Sequence, residues 1–421
     1  MFQYIQQYSK SIKNVGYYFA ASFIPLLITL ALNPLYSLYL TPKDYAIIGY
    51  YNSFNILFSP FILFYFNQYF MREYFYRDEA GKIKLKIMIL KAFTIMPFVL
   101  GLIAIFVIFI YKTFFNKGSE ILFFPYALLA LLPSMLVGLY RLELLEHKVQ
   151  RDGKGYLKIC LINGGVVALS SVVFIVFAKF GAIGQYFGNI SGPLFFYVFV
   201  LYKNRGVIHQ RFDFGEFKKA VYFCWPLVIA GMFDFFSNGY DKVILEKLVS
   251  VEELGYYSIG ISIGSYLSIF SGAINDTFSP DIYDSLAKKD FRRMLKYVSF
   301  QIGTMLGIVL VFVVLAKYVI YILTAGRYVA ATPYAQIGAF GALTSTIYCV
   351  ITNVVQSYKK TEIVMTTKFI GSIICLLSYS FLIKNYTLIG AAIGYALGNV
   401  YFSIIAVFLL FISLKLKKER L

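Results

Sequence analysis

Two polar side chains stand at matched positions inside long apolar runs of the sequence. Asp234 lies eight residues after Pro226, and Asn33 lies eight residues after Pro25. An ionisable group in such a run is costly and commonly marks a substrate or ion pathway. The pattern therefore predicts a pair that lines a polar cavity, with Asp234 able to exchange a coupling proton. The alternative is a polar group that only contacts a neighbouring helix.

Further amide and carboxylate side chains recur near the ends of apolar runs. Two adjacent pairs, 208 residues apart, are Asn67, Gln68, Asn275 and Asp276. They could line a vestibule at the inner face, or they could be ordinary polar residues at helix ends. Asn353 and Gln356 are weaker candidates of the same kind.

The motifs of common enzymes are missing from the sequence. It has no G-x-x-x-x-G-K-[ST] phosphate loop, no H-E-x-x-H or G-x-S-x-G motif and no Cys/His cluster. Its two histidines, His147 and His209, lie in basic loops, where a solvated side chain is expected. We therefore expect neither an enzyme nor a site for a metal or a cofactor.

The composition indicates an integral membrane protein. Of 421 residues, 59% are apolar and only 14% are charged, against globular norms of about 45–50% and about 25%. So few charges cannot cover a soluble surface of this size, which argues against a cytosolic enzyme, a secreted disulfide scaffold or a disordered chain.

The apolar residues form runs long enough to cross a bilayer as helices, which takes roughly 20 residues each. Twelve such runs are at about 15–40, 45–68, 87–111, 121–140, 157–178, 181–202, 220–240, 254–275, 297–319, 333–355, 363–383 and 388–411. They are too long, and too uniformly apolar, for the strands of a barrel. The predicted fold is an all-α membrane protein of twelve transmembrane helices.

The basic residues predict the orientation. With both termini cytoplasmic, 30 of the 39 Lys and Arg residues lie inside and 9 outside, as the positive-inside rule requires. Basic loops beside anionic lipid also account for the net charge of +18 without a nucleic-acid partner.

The two halves of the chain repeat one another. Five of nine residues are identical between 182–190 and 392–400, and three further matches occur in order at shifts of 201 to 208. Six spans per half place both halves in the same orientation. The repeat predicts two six-helix bundles, 1–205 and 206–421, around a central cavity, as in transporters that work by alternating access.

Three segments resemble the oligosaccharide-unit flippases of bacteria (Wzx type), in the multidrug/oligosaccharidyl-lipid/polysaccharide exporter superfamily. They are the turn Leu40–Tyr45, the segment Pro226–Gly260 with Asp241-Lys242 and Glu253-Leu254-Gly255-Tyr256-Tyr257, and Phe278–Tyr283. Ala46 and Lys242 depart from the family pattern, which more often has Gly and Arg there.

The resemblance implies a flippase that moves undecaprenyl-pyrophosphate-linked oligosaccharide from the cytoplasmic to the periplasmic leaflet of the bacterial inner membrane, for O-antigen, capsule or another exopolysaccharide. It implies a monomer, with a polysaccharide polymerase as a partner, and leaves open whether H⁺, Na⁺ or no ion is coupled. A wet, polar cavity is required, because each unpartnered sugar hydroxyl costs about 2–7 kcal/mol in hydrocarbon.

The pyrophosphate of such a cargo needs cations near the cytoplasmic mouth. The candidates are Arg72, Arg141, Lys158 and Lys368. The alternative for each is plain positive-inside anchoring. Asp241 and Lys242, at the outer end of the seventh span, are expected to form a local structural ion pair.

The same residues bear on four alternative functions. A drug or small-cation antiporter of the same superfamily is the main alternative, but the inner mouth is basic and few acids accompany Asp234. A lipid II flippase is expected to have two more spans. A membrane glycosyltransferase would need larger outer loops, and the loop after the second span does not fit the major-facilitator motif.

Overall fold

A computed structural model describes residues 2–208, 211–358 and 360–418; His209 lies outside them, as do the side chains of some further residues, among them Asp276. The described residues form helices and no β-strand. Because water is absent from a bilayer core, a chain this apolar must satisfy its backbone hydrogen bonds internally, and helices do so segment by segment. The predicted all-α membrane fold is confirmed.

The helices of the first half, with two five-residue π-helical ends, are α1 (Phe2–Tyr39), α2 (Pro42–Leu63), α3 (Phe66–Tyr74), α4 (Glu79–Ile110), α5 (Tyr126–Val149), α6 (Gly153–Val172), α7 (Gly181–Lys203) and the short α8 (Arg205–Ile208). Those of the second half are α9 (Phe214–Met232), α10 (Phe235–Asn238), α11 (Tyr240–Leu245), α12 (Val251–Ser265), α13 (Ser268–Ala287), α14 (Phe291–Leu323), α15 (Thr332–Ser357) and α16 (Thr361–Lys418).

Ten helical segments of the described chain are long and apolar enough to span a membrane. The last of them holds two helices, because α16 is interrupted at Thr387, whose φ of 46° is left-handed. Helix α7 covers the predicted sixth span with 23 residues but is not among the ten. The multi-pass character is clear, and the count of twelve stays a prediction.

Contacts between Cα atoms divide the chain into two compact units. Unit 1 holds the described residues up to Thr41 together with Leu57–Met232, and unit 2 holds Pro42–Ile56 and the described residues from Phe233 onward. Helix α9, which the repeat assigned to the second half, thus packs with α3 and α4 of the first. The bundles 1–205 and 206–421, as units of transport, remain a prediction.

Each unit has its own apolar core. In unit 1, Phe66 and Phe70 of α3 pack with Phe93 of α4 and with Cys224 and Val228 of α9. In unit 2, a column of alanines on α15 faces Ile259 and Ile263 of α12 and Met305 and Val309 of α14. Small residues let the helix backbones approach closely, which favours association in a membrane.

Side chains that cap the helices fix where several spans begin. Ser250 and Glu253 form a reciprocal capping box at the start of α12, which satisfies two backbone donors that a helix start leaves free. Asp78 and Asp290 accept from the backbone N–H three residues on, at the starts of α4 and α14. The same capping therefore opens the predicted third and ninth spans.

Three predicted spans are interrupted, among them 254–275, where α12 ends at Ser265 and α13 begins at Ser268. Helix α2 ends at Leu63, and Phe64 and Tyr65, with φ of 53° and 50°, turn the chain into α3. Asn67 and Gln68 therefore lie on α3, not at the end of one continuous span over 45–68. The span predicted at 220–240 stops at Met232, and α10 restarts it at Phe235.

Replacement of Gly264 on α12 by alanine is expected to destabilise the protein. An added Cβ would lie 2.6 Å from the carbonyl oxygen of Ala335 and 2.9 Å from the amide nitrogen of Ala339. Overpacking of this kind costs about 1–3 kcal/mol, so Gly264→Ala should lower the Tm measured in detergent. Gly272→Ala is the matched control, since nothing lies within 4 Å of its added Cβ; equal Tm values would contradict the close packing.

Candidate functional site

An ion pair lies at the interruption between α9 and α10. The Lys368 ammonium, from the first part of α16, is 2.7 Å from both carboxylate oxygens of Asp234. The Lys368 side chain is 16% exposed and that of Asp234 is 37% exposed. The structure thus brings together one residue predicted to line a cavity and one predicted to bind pyrophosphate.

The carboxylate of Asp234 has no part in capping the short helix that follows it. Asp234 is the N-cap of α10, but its side chain accepts no backbone hydrogen bond there. Its main-chain carbonyl instead accepts hydrogen bonds of 3.2 Å from Ser237 Oγ and from Asn238 Nδ2. The carboxylate is therefore held by Lys368, and the backbone at the interruption is held by other groups.

Helix α16 also fixes the interruption through its neighbouring turns. Ser372 Oγ lies 2.6 Å from the carbonyl of Lys368 on its own helix and 3.3 Å from that of Phe233, so its one proton is shared between them. Tyr379 Oη donates to the carbonyl of Ser237 at 2.9 Å. The Phe233 ring meets Phe369 edge to face, with centroids 5.5 Å apart. These contacts add to the backbone hydrogen bonds that the carbonyls of Phe233 and Asp234 already accept within the turn, and they hold Asp234 opposite Lys368.

A second polar group, the Asn353 cluster, joins α13 and α15 within unit 2. Asn353 Nδ2 donates to Asn275 Oδ1 at 2.8 Å and to Ser279 Oγ at 2.9 Å. Tyr283 Oη lies 3.1 Å from Gln356 Oε1 and 3.4 Å from Asn353 Oδ1, which links the two residues. Three predicted vestibule residues, Asn275, Asn353 and Gln356, are thus in one network. Asn353 is buried and Gln356 is exposed, so the network runs from the interior of the unit to its surface.

The remaining vestibule candidates lie in unit 1, except for Asp276, whose side chain is outside the described part. Asn33 is on α1 and is partly buried. Asn67 and Gln68 are on α3, the first partly buried and the second exposed. The predicted matching of Asn33 with Asp234 across the repeat stays a prediction.

The other three pyrophosphate candidates are exposed cations of unit 1. Arg72 is on α3, Arg141 on α5 and Lys158 on α6. The Arg72 guanidinium lies 4.7 Å from the centroid of the Phe223 ring and 3.9 Å from the Glu73 carboxylate, and its side chain remains 57% exposed. All three can reach an external anion, whereas Lys368 already holds a carboxylate.

A cluster around Glu216, near the start of α9, is not among the residues predicted from the sequence. Glu216 accepts a 2.5 Å hydrogen bond from Tyr69 Oη and pairs with Arg77, which also pairs with Glu73. Burial, together with the Glu216 carboxylate, raises the pKa of the Tyr69 hydroxyl and keeps it a donor. An acid among the basic residues of this loop was the available signal, but only the cations were counted.

Two further cations at the predicted inner face are neutralised by acids of α5. Lys203 Nζ lies 2.5 Å from Glu143 Oε1, and Lys86 Nζ lies 2.6 Å from Glu146 Oε1. The basic face is thus less positive than its count of lysines and arginines indicates. This leaves the exposed Arg72, Arg141 and Lys158 as the stronger anion-binding candidates of unit 1.

The Asp241-Lys242 pair of the family pattern is buried in unit 2. Tyr257 Oη donates to Asp241 Oδ2 at 2.5 Å, and Lys242 Nζ is 3.2 Å from the same oxygen. Asp241 has no exposed surface. A buried charge needs such partners to be tolerated, so this contact network fits the structural role expected for the pair.

An apolar groove of about 600 Å³ lies between α15 and the second part of α16. The two hydroxyl groups on its wall are already satisfied. Ser403 Oγ donates to the carbonyl of Asn399 at 2.7 Å, and Thr344 Oγ1 lies within 3.0 Å of the carbonyls of Gly341 and Ala396. The groove can therefore take hydrocarbon but offers nothing to a sugar or a phosphate.

A family model described as "Polysaccharide biosynthesis protein" matches residues 39–333. The match covers most of the chain, so the chain belongs to the polysaccharide biosynthesis protein family. No curated protein matches the sequence.

Several solved structures have a similar fold. One is described as the lipid II flippase MurJ in an inward closed conformation, with TM-score 0.69, 14% identity, and coverage of 93% of this chain and 86% of that chain. An inward-facing multidrug resistance MATE transporter of the MOP superfamily has TM-score 0.62 and 12% identity, over 97% and 92%. A MATE transporter of Vibrio cholerae has TM-score 0.56 and 15% identity, over 97% of each chain.

Replacement of Asn353 by alanine is expected to destabilise unit 2, because Asn275 and Ser279 would lose their common partner. A buried polar group left unsatisfied costs about 1–3 kcal/mol. Gln356→Ala is the matched control: its side chain is exposed and shares the same network through Tyr283. Thermal unfolding in detergent should show a clear loss of Tm for Asn353→Ala and little change for Gln356→Ala; the reverse order would refute the assignment.

Proposed function

We propose that this member of the polysaccharide biosynthesis protein family is a flippase for undecaprenyl-pyrophosphate-linked oligosaccharide. The observation that carries the proposal is the family match over residues 39–333, on a helical fold similar to that of a lipid II flippase. The cargo would enter from the cytoplasmic leaflet of the bacterial inner membrane and leave in the periplasmic leaflet, with both termini of the chain in the cytoplasm.

The described residues supply the three chemistries that such a cargo needs. The exposed amide of Gln356, at the surface end of the Asn353 cluster, can exchange hydrogen bonds with sugar hydroxyls, which hydrocarbon cannot. The exposed cations Arg72, Arg141 and Lys158 can contact phosphate, and Arg offers it a planar, bidentate donor set. The apolar groove between α15 and α16 is compatible with the lipid tail.

The proposal extends to the biological setting. The flipped unit would feed the synthesis of O-antigen, capsule or another exopolysaccharide, and the flippase would act as a monomer beside a polysaccharide polymerase. It would perform no covalent chemistry, because moving the headgroup between leaflets breaks no bond. No cofactor is needed, and H⁺ or Na⁺ could drive the cycle.

A drug or small-cation antiporter is the second candidate, since structures described as multidrug transporters share the fold. The ion pair counts against it. A net-neutral pair attracts a cationic drug less than an unpaired carboxylate does, and both oxygens of Asp234 contact the Lys368 ammonium.

Depletion of the protein in its native bacterium tests the two candidates. The flippase proposal expects a complete lipid-linked oligosaccharide to accumulate, with loss of surface polysaccharide, because the unit can no longer reach the outer leaflet. Mass spectrometry of extracted undecaprenyl-linked sugars measures the accumulation and identifies the cargo. Re-expression of the wild-type chain should reverse both effects.

A strain that also lacks the first glycosyltransferase of the unit is the control, and it should accumulate nothing. Intact surface polysaccharide without any accumulated unit would refute the flippase proposal. Increased sensitivity to cationic drugs in the same depleted strain would then favour the antiporter.

A further inference from the structure

We propose that Asp234 is the internal counter-ion of a phosphate-binding lysine, and that Lys368 exchanges the Asp234 carboxylate for a phosphate oxygen of the cargo. The inference rests on the proposed function and deepens it, since it names the group that the headgroup displaces. In the empty protein Lys368 is neutralised by Asp234; in the loaded protein the phosphate would neutralise it.

The geometry of the pair suits such an exchange. The Lys368 ammonium is 2.7 Å from each oxygen of the carboxylate, and a lysine ammonium can serve a phosphate in the same way, as a compact point charge. The Asp234 side chain is more exposed than the Lys368 side chain, 37% against 16%. The carboxylate can therefore turn toward the open side of the pair while a phosphate oxygen takes its place beside the ammonium.

The backbone around the pair leaves the Asp234 side chain free to move. The carboxylate caps no helix, and the chain at this point is held through the main-chain carbonyls of Phe233, Asp234 and Ser237. Rotation of the Asp234 side chain away from Lys368 would break none of these hydrogen bonds. The pair can open without a change in the helices that carry it.

The energetics favour a replaceable partner over a bare cation. An ionisable side chain inside an apolar span normally faces a cavity or a partner, because an unpaired charge there is costly. Removal of one partner of a partly buried pair leaves the other charge uncompensated, which is strongly unfavourable. If carboxylate and phosphate exchange at Lys368, the ammonium has an anionic partner at every stage, and the exposed carboxylate is released toward water.

The exchange predicts opposite effects for the two residues. Lys368→Gln should weaken phosphate binding at least tenfold, whereas Asp234→Asn should strengthen it roughly threefold to tenfold, a change of up to about 1.4 kcal/mol. An ion pair that serves stability alone predicts that both variants lower stability and that neither binds more tightly. Lys368→Arg keeps the positive charge and should retain binding.

The test uses the full chain in lipid nanodiscs, with inorganic pyrophosphate and farnesyl diphosphate as the probes and isothermal titration calorimetry as the measurement. The matched controls are Asp284→Asn and Lys288→Gln, because these residues form an exposed ion pair with the same 2.7 Å separation. Neither control should change the affinity by more than twofold. The Tm of each variant is measured in the same discs.

The double variant Asp234→Asn/Lys368→Gln keeps the experiment decisive if a single variant unfolds. Its neutral amides can still hydrogen-bond to one another, so it should fold and bind both probes at least tenfold more weakly than the wild-type chain. Wild-type affinity in this double variant, or weaker binding by a folded Asp234→Asn, would overturn the inference.

The two proposals fail separately. Lipid-linked oligosaccharide that accumulates on depletion, with no effect of Lys368 on probe binding, would overturn the exchange and leave the flippase standing. The expected pattern of binding without any accumulation on depletion would support the exchange at Lys368 and refute the flippase.

Discussion

The satisfaction of backbone hydrogen bonds in an apolar surrounding is the constraint on which the rest of this structure depends. A helix meets it internally, so at each interruption of a helix other hydrogen bonds must take over. Between α9 and α10, the backbone N–H groups of Phe236 and Asn238 donate to the carbonyls of Phe233 and Asp234, and side chains of α10 and α16 add further hydrogen bonds: Ser237, Asn238, Ser372 and Tyr379. Between α2 and α3, the carbonyl of Tyr65, whose φ is left-handed, accepts from the backbone N–H of Gln68 at 2.9 Å, and the Cys224 thiol lies 3.4 Å from it.

The hydrogen bonds at these interruptions determine where the polar side chains lie. An unbroken helix over 220–240 would place Asp234 by helical periodicity alone. The interruption instead anchors its main chain on α16 and leaves the carboxylate opposite Lys368. The hydroxyls of Ser372 and Tyr379 therefore contribute to the site without touching a ligand, since they fix the backbone from which Asp234 projects.

The types of the candidate residues could be predicted from the sequence better than their partners. Spacing from Pro226 identified Asp234, and the basic start of a span identified Lys368. Their pairing joins residues 134 positions apart and depends on which faces of α16 and of the interrupted helix meet. The helix is interrupted at Phe233 and Asp234, neither of which is a proline or a glycine. The sequence therefore contained no strong signal for the interruption.

The same limit applies to the charge of the predicted inner face. Counting cations predicts an orientation, because the positive-inside rule depends on numbers and not on contacts. It could not show that Arg77, Lys86 and Lys203 are engaged by Glu216, Glu146 and Glu143. Acidic residues from distant parts of the sequence form ion pairs with some of the cations, and only the others can bind an external anion. Which cations are paired is visible only once the helices are packed.

A neutralised lysine suits an anionic cargo in a way that a free one does not. A bare ammonium in an apolar span would hold any anion tightly, and a transporter must also release what it binds. A carboxylate that stays beside the lysine competes with the cargo, so it weakens binding and gives the lysine a partner once the cargo leaves. A net-neutral pair thereby favours turnover over affinity, which is the balance required of a protein that moves its substrate and does not store it.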